Sequence, residues 1–463
     1  MQKSESGSPG MILLTVCIAQ FMAPFMLTSV GVALPSLGRD LGASAVQLGL
    51  VEQLYVLSLA MSMLTFGRLG DIVGQRRVFL TGLIIFTLLT FSLGFARSIR
   101  LVMFFRFFQG IGAAMFLAGS MAIVAAAYLP EQRARKIGVV STCTYTGLST
   151  GPVIGGYITL HFGWPYVFLM AVPIGIAAIA MGLFGMKEMD KNAAGERMDW
   201  KGSLAYAISI GFIMTGAAHA RELAVGLPMI VLGILGLIVF IRMEMRSESP
   251  LLDVSLLSKN RFFTLSCLAA LGNYAATFGI IFLMSLFLQY VKGLSPRQAG
   301  YVLLMQPLMQ VVASPIAGRL AERFAVAKLA TVGMLASSAG LLLAALTIGP
   351  NIPLWLIVLE LMLIGAGFGI FITPNSTAIM GSVEKRQFGV ASGMIGAMRT
   401  LGMATSFTAI ALIFSLFMGK DAITNATLPV FILSMKTGLA VFAVFSCLGV
   451  IMSFGRGTIQ ARS

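Results

Sequence analysis

Apolar runs of about twenty residues recur along this chain from end to end, with charge confined to the short junctions between them. A run of that length crosses the hydrocarbon core of a bilayer as a helix, which satisfies its backbone hydrogen bonds internally. Fourteen segments fit, at about 11–36, 46–66, 78–96, 101–128, 137–160, 164–186, 202–219, 224–243, 262–290, 298–317, 328–348, 352–376, 388–418 and 431–454. Only 11% of the 463 residues are charged, against roughly a quarter in soluble domains. The expected class is therefore an all-α polytopic membrane protein, multi-pass in the cell (inner) membrane.

An even number of spans puts both termini on one side. With that side cytoplasmic, the inner loops and tails hold twenty-two Lys and Arg and the outer loops and helix ends eight, while Arg106 and Arg399 fall within spans. The positive-inside rule then makes both termini cytoplasmic. Basic loops facing an anionic leaflet account for the net charge of +15 without nucleic acid as a partner. The opening "MQKSESGSPG" reads as a retained polar tail, not a cleaved signal. Cys17, Cys143, Cys267 and Cys447 lie far apart in apolar runs, and His161 and His219 sit alone near helix ends. No metal site and no cofactor are expected from such scattered ligands. An intramembrane enzyme would need a paired nucleophile and base, which two isolated His do not offer. An ATP-driven pump would need G-x-x-x-x-G-K-[ST], which is missing from the sequence.

The chain also repeats itself. "FGRLGD" (66–71) answers to "AGRLAE" (317–322), "FQGIGAAMF" (108–116) to "LIGAGFGIF" (363–371), and "IGVVS" (137–141) to "FGVAS" (388–392), at offsets of 251, 255 and 251. The division expected is an N-terminal six-helix bundle at 1–190, a linker with two extra transmembrane helices at 191–261, and a C-terminal six-helix bundle at 262–463. Repeated halves with a site between them are how secondary transporters alternate access, whereas a channel would need a ring of polar or charged groups along a pore.

Charge gathers conspicuously in "TFGRLGDIVGQRRVFL", the inner junction after the second span. Gly67 and Gly74 permit tight backbone there, and Asp71, Arg76 and Arg77 can make charge-assisted contacts that latch one half to the other. Arg106 stands inside the fourth span in "RFFQGIGAA", where a charge is costly unless paired or hydrated. Gly147, Gly151 and Gly155 in "GLSTGPVIGG" fall four apart, leaving one helix face bare for a close neighbour, and Pro152 removes a ladder hydrogen bond beside them.

These stretches resemble the signatures of the major facilitator superfamily. Gly67, Leu69, Asp71, Gly74, Arg76 and Arg77 match its loop G-x-L-x-D-x-x-G-R-[RK], with Gln75 in a usually basic position. Arg106, Gln109, Gly110 and Gly112 match its R-x-x-Q-G-x-G, which the resemblance associates with proton coupling. Gly147, Gly151, Pro152, Gly155 and Gly156 complete the antiporter motif G-x-x-x-G-P-x-x-G-G. "ASGMIGAMRTLG", with Gly393, Arg399 and Gly402, is similar to a run in the fourteen-helix drug:proton antiporter branch, the EmrB/QacA-like exporters. The resemblance covers essentially the whole chain and implies a major facilitator fold of 6+2+6 helices.

Two stretches depart from that branch. Its first helix usually carries an acid and an Asn where this chain has Met26 and Gly31, and the sixth-span "GWPYVFLMAVPIG" lacks the usual W-R-W and the Asn before Val-Pro. Coupling must then use other acids, and the sequence leaves Glu52 and Glu360 within spans. Glu52 and Arg106 lie at similar depth from the outer helix ends, so they are expected to pair or to compete as the protein cycles. A carboxyl group holds its proton more tightly in apolar surroundings and releases it when a guanidinium approaches, which makes such a pair a carrier that conformation can load and unload. Glu360 is the second candidate, for a proton or a cationic substrate.

The expected function is proton-coupled export of amphipathic small molecules or drugs, possible cations among them, by alternating access. Thirty Met and thirty-three Phe could line a promiscuous cavity, though lipid contact and helix packing draw on the same residues. The alternative is export of a specific endogenous metabolite, lipid or siderophore-like compound with altered coupling. The partners implied are a small-molecule substrate, protons and the lipid bilayer.

Overall fold

The computed structural model describes residues 8–186, 198–220, 222–246, 251, 254–321, 323–383, 388–419 and 421–460. Among them the regular structure is all helical: α1 (Pro9–Leu41), α2 (Ala45–Val73), α3 (Gln75–Leu93), α4 (Ile99–Ala127), α5 (Pro130–Phe162), α6 (Pro165–Leu169), α7 (Val172–Gly185), α8 (Trp200–Ala218), α9 (Leu223–Glu244), α10 (Val254–Lys259), α11 (Arg261–Thr277), α12 (Ile280–Leu286) running into a π-turn (Phe287–Val291), α13 (Pro296–Leu303), α14 (Met305–Leu320), α15 (Val326–Thr347), α16 (Leu354–Gly381), α17 (Phe388–Phe417) and α18 (Leu428–Gln460). The expected break between the first bundle and the linker, at 190/191, lies outside the described residues, as does Glu322, the counterpart of Asp71.

Twelve of these helical passes are long and apolar enough to cross a bilayer by length and composition. The other two expected spans are also continuous helices, α5 with 33 residues and α8 with 19, of which α5 is the more polar. On α5, Thr142, Thr146, Thr150 and Thr159 each return their hydroxyl to the carbonyl four residues back, so hydroxyls enter the apolar layer without an unmet donor. The helix α9 is the outermost, packed on α8 with most of its apolar surface open to lipid. In turn α8 lies against both α2 and α17, where Gln53 Nε2 donates to the Met214 carbonyl at 2.9 Å.

The internal repeat is a repeat of packing. Gly82 and Gly112 bring α3 and α4 together so closely that a Cβ on Gly112 would stand 2.8 Å from the Phe86 nitrogen; Gly333 and Gly367 do the same for α15 and α16. The two pairs are offset by 251 and 255, as in the sequence matches. A further match lies at the hairpins remote from the termini. Gly42, at φ 62°, ends α1, and Ser44 and Gln47 form a capping box that starts α2; Gly293, at φ 65°, precedes Ser295 and Gln298, which form the same box on α13.

Contact between the halves concentrates at the end remote from the termini: α1 meets α12, α5 meets α13, and α2 meets α17. At Gly112 the obstructing atoms are backbone, whereas a Cβ on Gly138 would meet nothing within 4 Å. Gly112→Ala is therefore expected to cost about 1–3 kcal/mol and to lower the thermal unfolding midpoint of detergent-purified protein, with Gly138→Ala at or slightly above wild type.

Candidate functional site

Between the halves lies an open cavity lined from both sides. It runs from the level of Gly31 and Glu52 toward the end that carries the termini, past Gln20, Met63, Thr144 and Gln310. Aromatic residues from both halves form much of its wall, including Tyr55, Tyr145, Tyr274, Phe278 and Phe368. Pro24 and Pro35 interrupt the hydrogen-bond ladder of α1, the helix that lines one side.

Glu52 and Arg106 meet. Arg106 Nη2 donates to Glu52 Oε2 at 2.6 Å, with the two side chains 0% and 1% exposed. Arg106 Nη1 donates to Gln109 Oε1 at 2.9 Å, and Gln109 Nε2 donates to Thr90 Oγ1 at 2.7 Å. The guanidinium also lies 4.2 Å from the centre of the Tyr55 ring. Gly110 makes room for this cluster, because any Cβ there would collide with the Tyr55 carbonyl and the Ser58 hydroxyl. Glu52 lines the cavity, and its Oε1 has no hydrogen-bond partner among the described residues. A buried carboxylate oxygen without a partner is a place where a proton or a donor can bind.

The other expected site residues are distributed around this centre. Gly74, at φ 113°, joins α2 to α3 in a conformation that favours glycine. Next to it, Gln75 is buried: it donates to Asp71 Oδ1 at 3.0 Å and fills the space over Gly70 and Gly119. Arg76 donates to the Leu183 carbonyl of α7 at 3.2 Å, and Gly67 faces Ala118 of α4. Arg77 is the outward-facing member of the loop, and both it and Asp71 keep further partners. In α5, Gly147, Gly151 and Gly155 abut α1 at Phe21, Thr28 and Ser29, where Ser29 Oγ donates to the Gly151 carbonyl at 2.9 Å. Gly156 instead faces Pro296 of the second half, and Gly300 of α13 faces the Pro152 carbonyl.

Glu360 is buried on α16 and accepts from Thr347 Oγ1 at 2.5 Å; it is not part of the cavity wall. Arg399 does line the cavity, from α17. Met26, at the position of the missing acid, is fully buried, while Gly31 opens onto the cavity with nothing within 4 Å of where a Cβ would stand.

The family model described as Major Facilitator Superfamily matches residues 16–407. The chain belongs to the major facilitator superfamily. Among curated relatives, this facilitator is 30% identical to the riboflavin transporter RibZ of Clostridioides difficile over 85% of each chain. It is 27% identical to the multidrug export protein EmrB of Escherichia coli over 88% of this chain and 81% of that one. Among solved structures, a bacterial homologue of the human lysosomal transporter Spinster aligns with a TM-score of 0.67 at 16% identity, covering 98% of both chains. The facilitator is thus a multi-pass membrane transporter of the cell (inner) membrane, from a family of transporters and not of enzymes.

Three polar features of the facilitator were not legible as sites in its sequence. Pro35 has no N–H to offer the Gly31 carbonyl, and Ser285 Oγ of the second half donates to it at 2.8 Å. Gln289 Nε2 in the π-turn donates to the Val32 carbonyl at 2.9 Å, and Tyr290 Oη to that of Pro35 at 3.3 Å. Together they seal the end of the cavity remote from the termini. Arg456, expected in the inner tail, is instead fully buried in α18. It donates to Asn375 Oδ1, to Ser266 Oγ at 3.1 Å and to Ser453 Oγ at 2.8 Å, tying α18 to α11 and α16. Glu244, expected in a loop, is buried in the last turn of α9 beside Gly202 of α8.

Removing one partner of a buried ion pair strands the other, at a cost of about 3–5 kcal/mol. Arg106→Gln is expected to lower the unfolding midpoint strongly, and Glu52→Gln/Arg106→Gln to recover part of the loss in the same thermal assay.

Proposed function

We propose that this facilitator is a proton-coupled exporter of amphipathic small molecules, with Glu52 as the proton carrier and Arg106 as the counter-ion that competes with the proton. The observation that carries the reading is the buried Glu52–Arg106 pair, whose Glu52 lines the cavity and keeps one carboxylate oxygen, Oε1, without a hydrogen-bond partner among the described residues. The positive-inside distribution supports cytoplasmic termini, so the sealed end faces outward and the cavity faces in. Substrate enters from the cytoplasm or inner leaflet. The two bundles, 1–190 and 262–463 with 191–261 as linker, then rock about the cavity.

On that path the contacts of Ser285, Gln289 and Tyr290 with α1 part, as do Gly156 from Pro296 and Gly300 from Pro152. The loop of Gly67, Asp71, Gly74, Arg76 and Arg77 then latches the inner end. The glycine seam between α1 and α5 keeps the first bundle rigid while this happens. Drug:proton antiport is supported by the resemblance to exporters such as EmrB and by the complete antiporter motif. A second reading, export of one endogenous metabolite with altered coupling, is favoured by Met26 and Gly31 in place of the usual acid and Asn. It is favoured too by the similarity to a riboflavin transporter.

In liposomes with an internal pH-sensitive dye and an imposed proton gradient, wild type should move protons when a transported amphiphile is added. Glu52→Gln should reduce that flux at least tenfold while Glu360→Gln retains it; full flux in Glu52→Gln would sink the carrier assignment. Removing the outer seal should shift the resting population. Ser285→Ala/Gln289→Ala, spin-labelled at positions 39 and 292 in a chain with its four Cys replaced, is expected to show a larger share of long distances than the same labels without those substitutions.

A further inference from the structure

Two charged side chains line the cavity among the described residues, Glu52 and Arg399. The charge of Glu52 is matched at 2.6 Å by Arg106. Arg399 makes no hydrogen bond or ion pair with any described residue, so the described wall carries one unmatched positive charge. Its position is fixed by packing. One turn further along α17, Gly402 lets that helix press on α11, where a Cβ would stand 3.0 Å from the Ala275 nitrogen and 3.1 Å from the Leu271 carbonyl. Beside Arg399 the second half borders the cavity with a packed aromatic cluster, in which Tyr274 and Phe368 are buried and Phe278 is partly exposed. The ring centre of Tyr274 is 5.7 Å from that of Phe278 and 5.7 Å from that of Phe368.

An unmatched guanidinium in an apolar chamber repels a second cation and gains from an acceptor, because the low dielectric strengthens both effects. Its planar fork suits carboxylate, sulfonate or phosphate oxygens, and aromatic rings beside it can take a flat apolar body. We propose that the substrate of this cavity is an aromatic amphiphile whose head accepts hydrogen bonds from Arg399 and carries no positive charge. The body lies on Tyr274, Phe278 and Phe368. This inference rests on the reading that the cavity is the transport site, and it narrows the substrate from amphiphiles in general to those that are not cations.

The test uses the full chain in nanodiscs of zwitterionic lipid, with titration calorimetry of pyrene-1-sulfonate and 1-pyrenemethylammonium, which share one ring system, after subtraction of empty nanodiscs. Wild type should bind the sulfonate at least tenfold more tightly. Arg399→Gln should erase the difference, Arg399→Lys should keep most of it, and Arg399→Glu should reverse it, each compared on material with wild-type elution and melting. Equal affinities in wild type, or a preference for the ammonium, overturn the proposal without any variant. So does a sulfonate preference that survives Arg399→Gln. Sulfonate selectivity without substrate-driven proton movement would leave this inference standing and remove proton-coupled export. Proton-coupled transport of the ammonium, with affinity indifferent to Arg399, would do the reverse.

Discussion

Inside a bilayer no water is at hand to satisfy a backbone N–H or C=O, and a buried charge is costly unless it is met within the protein. The arrangement of this facilitator follows from that constraint. The hydroxyls of α5 fold back on their own helix. The carbonyl that Pro35 leaves without a donor is met by Ser285 from the other half, which turns a local defect in α1 into a contact between bundles. Arg106 is surrounded by Glu52, Gln109 and the face of Tyr55, and Arg456 by Asn375, Ser266 and Ser453. The two arginines are solved differently. Arg456 is held by neutral oxygens from neighbouring helices, a static knot. Arg106 is held by a titratable group that borders the cavity, so its satisfaction can change with a proton.

Glycine supplies the second half of the design. Helices that carry so few polar contacts must gain cohesion from close approach, and close approach requires bare backbone. The pairs Gly82 with Gly112 and Gly333 with Gly367 do this within each bundle, at equivalent places. Gly156 and Gly300 do it between bundles, where α5 meets α13. The first kind can stay shut through a transport cycle. The second kind, together with three side-chain hydrogen bonds onto α1, is a smaller set that the two bodies would give up in the proposed rocking motion.

Much of this was readable beforehand. Spans follow from apolar length, and the repeat from three ordered matches; Glu52 and Arg106 could be paired because depth along two helices is simple arithmetic at about 1.5 Å per residue. What stayed hidden depended on three-dimensional neighbours. Arg456 lies just beyond the last expected span, 431–454, which suggested a tail, and only the packing of α18 against α11 and α16 buries it. Gln75 stood in a usually basic position and looked like a lost charge, whereas it fills the space over Gly70 and Gly119. The hairpin match of Gly42, Ser44 and Gln47 with Gly293, Ser295 and Gln298 stands at the same offset of 251, carried by cap chemistry and not by apolar motifs.

The placement of charge bears on how two ligands communicate. A cationic substrate would seek Glu52 and displace the proton directly, so that exclusion at a single carboxylate couples the two. A substrate held by Arg399 occupies the second half, while the proton occupies the first, and the two need never touch. Coupling then has to pass through the one thing both sites share, the closure of the bundles around the cavity. A proton on Glu52 leaves Arg106 without its counter-charge in a buried pocket, which raises the free energy of any state that keeps the pocket unchanged. An empty Arg399 likewise disfavours states that shut it away from solvent. On the proposed cycle each ligand would act by changing which end of the same cavity is cheaper to close, and the Pro35 seal at one end and the Asp71 loop at the other would be where that difference is expressed.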